Sequence, residues 1–384
     1  MRFAVNTFSS IKLKSYKLSH IILTAFLFFN AAHSYATNYT WAGPSSGGDW
    51  HTAANWSPTG IPTINDDVTV SGVVSISAGD AEAKMLTIQN GLVELENVNL
   101  KLEKLICQGI GSFKGAGNTG NGTGTLKFTG SASFSTGSTL CTFEVDTGTA
   151  LTLHNDITVQ RNFVNNGAVT TATGNLTING DYSGAGSLSA SSITINFKGD
   201  VDFSQGTFSG SSCTVKLNGT ASQKIKINAS GTDFGNLEIN KTSRDVTIEE
   251  SEGTLSAASL KITSAPGGVT VNAPLSVTGI LEHTGGGNAL FTKRVTAQTL
   301  RHSGIGTADF SEEVVTPNLD HTGTNTLTFQ KKIQIAASFT DNTSSGALNL
   351  NGGADFTFTS QTEFKTNSAL TLKGDCNFDG GMKR

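Results

Sequence analysis

Proline is nearly missing from the middle of this chain: six prolines occur in 384 residues, and none lies between Pro62 and Pro266. Because proline cannot donate to a strand ladder, that gap suits a long run of paired strands. Charge is scarce too, at 15% of residues, and nearly balanced, with 26 Lys and Arg against 30 Asp and Glu. Such a balance gives no basic footprint, so neither nucleic acid nor an anionic membrane surface is an expected partner. The four cysteines, Cys107, Cys141, Cys213 and Cys376, stand at unrelated spacings. They form no CxxC pair and hence none of the usual zinc sets. Buried or unpaired thiols are the plain expectation; an oxidising compartment leaves a Cys107–Cys141 bridge open.

Long apolar runs are lacking as well. The one at Ile21–Phe29 follows Lys12, Lys14 and Lys17 and precedes Ala-Ala-His-Ser-Tyr-Ala. It is short for a bilayer span, and Ser34 and Ala36 suit a cleavage site, so residues 1–36 read as an export signal. No lipoprotein cysteine follows it. The mature chain is expected outside the cytoplasm, secreted or at the cell surface, with no membrane-spanning segment after signal removal.

What is present is 44 Gly and 22 Phe, with abundant Thr, Ser and Asn. Disordered chains are rich in charge and proline and poor in aromatics, so this composition argues for a folded chain with Gly and Asn turns. The decisive feature is a repeat. Leu281-Glu-His-Thr-Gly, Leu300-Arg-His-Ser-Gly and Leu319-Asp-His-Thr-Gly are each 19 residues apart. Phe291, Phe310 and Phe329 recur in step, followed by Val295, Val314 and Ile333. The unit reads as two short alternating strands separated by polar turns, too small for a helical hairpin but right for one coil of a solenoid.

Stacked coils bring equivalent side chains one strand spacing apart, about 4.8 Å, where like charges repel. The sequence obeys this demand. Glu282, Arg301 and Asp320 alternate in sign, and Lys293-Arg294, Glu312-Glu313 and Lys331-Lys332 alternate again. Strand alternation turns His283, His302 and His321 inward with the leucines. Imidazole is a common metal ligand, but no carboxylate or cysteine repeats beside these histidines, which favours a neutral polar ladder hydrogen-bonded to backbone. The Phe291, Phe310 and Phe329 column reads as stacked core. Upstream, Ile157-Thr-Val159 with Phe163 recurs as Leu176-Thr-Ile178 with Tyr182, again 19 residues on.

The expectation is an all-β, single-stranded right-handed parallel β-helix, a β-solenoid with coils of about 19 residues and an N-terminal Trp-rich cap. Residues 37–75 make the cap, 76–275 loosely spelled coils, and 276–384 the regular 19-residue repeats. Trp41, Trp50 and Trp56 would form an aromatic lid, with the chain entering the first strand at Val68; a sugar-stacking face is the functional alternative. No cap pattern follows Asp375, so more coils or an anchoring chain at the C-terminus are expected partners.

No catalytic constellation is complete in the sequence. Asp66-Asp67 falls in the cap, Asp200 and Asp202 share a face but lack a matching His or Arg, and Glu249-Glu250 with Glu252 reads as a solvated loop. Gly285-Gly-Gly-Asn lacks the aspartate of the calcium nonapeptide. No Gly-x-Ser-x-Gly or His-Glu-x-x-His occurs. The expectation is therefore no enzyme and no cofactor.

The opening Trp41-x-Gly43, Trp50, Asn55-Trp56, Pro62 and Asp66-Asp67-Val68-Thr69-Val70 resembles the start of many large bacterial surface proteins. The coils that follow, with Gly199-Asp200, Ser222-Gln223-Lys224 and Phe234-Gly235-Asn236-Leu237, are similar to filamentous-haemagglutinin-like adhesins and autotransporter passenger regions. That resemblance implies display outside the cell and an adhesive or matrix role, with a host or matrix surface ligand or a polysaccharide as partner. The alternative is a carbohydrate-binding or polysaccharide-modifying β-helix.

Overall fold

The computed structural model describes residues 36 to 377, with gaps scattered between 90 and 155, at 250–252 and between 342 and 375. The segment read as an export signal and the Cys107–Cys141 pairing fall outside what it describes. One 3-10 turn, Ala53–Asn55, is the sole helical element among the described residues; every other element is a strand.

The strands stack coil upon coil into a parallel β-solenoid. One repeat shows the plan. Ala289–Phe291 forms a first face, a polar corner follows, and Val295–His302 runs on through the next corner. The pairing of this long strand with Leu275–His283 shifts register between Val277 and Ile280, so residues 295–297 and 299–302 lie on two faces joined at a bulge. Each unit of the regular repeat thus carries two strands, as the sequence suggests, and the longer one bends at the bulge to make two of the coil's three faces. Further upstream the same long strand is split, as in Leu255–Ala257 and Ser259–Ser264, which both pair with Leu275–His283.

Stacking is in register. Leu281, Glu282 and His283 pair with Leu300, Arg301 and His302, and these with Leu319, Asp320 and His321. Phe291, Phe310 and Phe329 are opposite one another on the first face. Their rings stack, with centroids 4.7 Å apart at 4° and 5.1 Å apart at 16°. Each buried side chain of this size contributes roughly 1.5–3 kcal/mol.

The 19-residue rhythm is carried at the corners by side chains that bond the coil below. Asn162 Oδ1 accepts from Asp181 N–H, and Asp181 Oδ1 from Asp200 N–H, each across 19 residues. In the middle the coil stretches. Asp200 Oδ1 meets Lys224 N–H across 24 residues, and Ser259 Oγ reaches Asn236 across 23. The extra residues are taken up between faces, and strand pairing continues through them.

Asn38–Trp41 lies parallel on Asp67–Val70, with Tyr39 opposite Val68. The chain therefore enters the stack earlier than Val68. The antiparallel Trp56–Ser57 covers the outer edge of this first strand, which blocks edge-to-edge pairing. Trp41, Trp50 and Trp56 are all buried, with edge-on rings 5.0 Å and 4.9 Å from Trp56. Trp56 Nε1 donates to Trp50 O at 2.7 Å. Asp66 fastens the same cap by accepting from Thr37 N–H, Thr63 N–H and Thr63 Oγ1.

Candidate functional site

Three features stand out from the regular stack: an interior file of histidines, an exterior ladder of charge, and a buried lysine at a corner. The histidine file occupies the end of the third face, where Leu-x-His alternation turns His283, His302 and His321 inward. All three are buried. Their rings are 5.1 Å apart and tilted by 40° at both steps. Each Nε2 lies beside a backbone oxygen of its own corner: Gly287 O and Gly306 O at 2.9 Å, Asn325 O at 3.1 Å. A carbonyl only accepts, so Nε2 carries the hydrogen and Nδ1 is left bare. The corner must be tight for the ring to reach, and it is: a Cβ at Gly306 would overlap the Gly287 carbonyl oxygen.

Burial pushes all three imidazoles below their ordinary value, against the pull of the backbone acceptors at His283 and His321. His302, also flanked by His321 and His283, is pushed down to about 3. The three rings stand in one column, each bonded through Nε2 to the backbone of its own corner. Among the described residues, no group of three or more His, Cys, Asp or Glu is placed to hold a metal ion.

Sequence reasoning missed the end of this file. Asp341 pairs with His321 in the next coil and is buried with it. Its Oδ1 is 3.5 Å from His321 Nδ1. The coil gains a residue at a register shift between Thr316 and Asn318, so a strict 19-residue count lands on Thr340 instead.

The exterior ladder on the same face is longer than the repeat foretells. Lys216 pairs with Glu238, Glu238 with Lys261, Lys261 with Glu282, and the alternation continues through Arg301 to Asp320. Ion pairs close at 3.2 Å for Lys216–Glu238 and 3.5 Å for Lys261–Glu282. Arg301 reaches Glu282 and Asp320 at 3.4 Å each. At the corner carrying Lys293, Glu312 and Lys331, the neighbouring residues form the bridge: Arg294 Nε to Glu313 at 3.0 Å.

Lys241 is fully buried at a stretched corner. Its Nζ donates to Ala221 O at 2.6 Å and to Gln223 Oε1 at 2.8 Å. Gln223 Nε2 in turn donates to Phe197 O and Gly199 O, so the pair ties three coils together. Burial lowers the Lys241 pKa, opposed by the charges of Asp245 and Asp200. Nothing in the repeat marks this lysine as interior.

Four of the carboxylates weighed as catalytic have structural partners. Asp66 holds the cap, Asp200 caps the next coil, and Asp202 binds Ser204 and Lys226. Glu249 lies 3.9 Å from Lys224, while Glu250 and Glu252 fall outside the described residues. Cys213 is a buried free thiol, pushed up to about 11 by burial. No family model matches this chain, and no curated protein or solved structure matches it.

Proposed function

We propose that this chain is an exported, non-enzymatic surface or extracellular structural protein of adhesin-like kind, related in style to filamentous-haemagglutinin-like and autotransporter-passenger-like β-helix proteins. The observation that carries this reading is the self-contained chemistry of the coils. Arg301 is engaged with the coils on both sides, the buried histidines bond the backbone of their own corners, and Asp66 and Asp200 accept backbone N–H groups. A surface so committed to its neighbours suits a stiff spacer that presents a face to a ligand. Export rests on the signal pattern of residues 1–36. No helix among the described residues is long and apolar enough to cross a membrane.

A sugar-stacking cap is disfavoured because all three tryptophan rings are packed inward. The role is tested by labelling intact source cells with antibody to the mature chain and by binding the purified chain to matrix proteins and acidic polysaccharides. The expected outcome is surface labelling, saturable binding to one such partner and no depolymerisation. Cytoplasmic retention, or shortening of a polysaccharide, would refute the proposal.

A further inference from the structure

We propose that His283, His302, His321 and Asp341 form an acid-operated latch: the file accepts one proton at its Asp341 end, and further protons part the coils that carry it. The geometry sets the proton count. With each Nε2–H committed to a backbone oxygen, the inward Nδ1 atoms of His283, His302 and His321 are buried acceptors with no hydrogen-bond partner. At His321 that bare nitrogen faces Asp341 Oδ1, another acceptor, at 3.5 Å. Two acceptors turned toward each other are reconciled by one proton between them. Upstream of His283 the same column holds Ile262, which offers no carboxylate to a second proton.

The groups around the file give no further relief. The first face sends in Phe291, Phe310 and Phe329, and the second sends in Val295, Val314 and Ile333. The other charged residues of these coils, Glu282, Lys293, Arg294, Arg301, Asp309, Glu312, Glu313, Asp320, Lys331 and Lys332, are partly covered or exposed and none is buried with the file. A proton on His302 therefore sits between two imidazoles 5.1 Å away on either side, with no counter-ion beside it. Separating the coils lets water solvate that charge.

The direction follows from linkage. Histidine in an open segment titrates near 6.5, whereas burial holds the closed His302 down to about 3. Between those values the open form binds more protons, so closure weakens as pH falls below about 6.5 and is fully present above it.

The test is hydrogen–deuterium exchange of the whole mature chain from about pH 7.5 to about pH 4.5, corrected for intrinsic rates. Opening of the coils from Leu275 to Asp341 is expected to rise by up to about tenfold per pH unit for each histidine that titrates. Coils between Ile157 and Ile239, which lack the file, should not show that rise. His302→Gln keeps a donor for Gly306 O but takes no proton, so its slope should be shallower by one histidine. Imidazole resonances of the folded wild type provide a second readout, independent of whether that variant folds. His283 or His302 titrating near 6.5 in the folded chain, an equal rise along the whole stack, or an unchanged slope in His302→Gln would each overturn the latch.

Discussion

Single residues in this chain are constrained by the coils above and below more than by their neighbours in sequence. Arg301 illustrates the rule: it lies between Glu282 and Asp320 and bridges both. Arg301→Glu would replace two attractions by two repulsions in one column. The side chains are half-buried, so solvent screens part of the effect, and a loss of about 1–2 kcal/mol is expected. Denaturant melts should show the loss shrinking as salt rises, since screening weakens like-charge repulsion. A change independent of salt would remove electrostatics as the cause. The last three charges of the column were legible because their coils share one length. Lys216, Glu238 and Lys261 were not, because extra corner residues break the count while leaving the pairing intact. Asp341 escaped for the same reason.

At the scale of the element, the first-face strands are three-residue rungs whose stability comes from the aromatic column. Phe310 is sandwiched between Phe291 and Phe329. Phe310→Ala deletes both stacks and leaves a cavity, at a cost of about 3–5 kcal/mol. Phe310→Leu should cost far less, because an aliphatic residue already occupies this column at Val271. Equilibrium unfolding of the two variants compares them directly, and equal losses would show that the ring itself is indispensable. The period-two alternation of these strands and their inward phenylalanines were plain in the sequence. The third face was hidden, since a strand that bends at a bulge without a turn residue reads as one element.

For the molecule as a whole, a stack in which each coil touches only its neighbours behaves as a one-dimensional chain, so damage at one end decays along it. The parallel stack was legible from the repeat, while the first strand at Asn38–Trp41 was not, because its partner Trp56–Ser57 runs antiparallel and outside the period. Trp56 is the residue on which this lid closes, packed edge-on against Trp41 and Trp50 and bonded to Trp50 O. Trp56→Ala should cost about 3–5 kcal/mol locally and uncover the edge of the first strand. Hydrogen exchange should then rise steeply over residues 38–88 and fade toward the phenylalanine column, whose rungs at Ala289–Phe291 and Leu327–Phe329 should keep wild-type protection. Loss of protection shared evenly by both ends would mean that the rod unfolds as one cooperative unit, and the nearest-neighbour picture would fail.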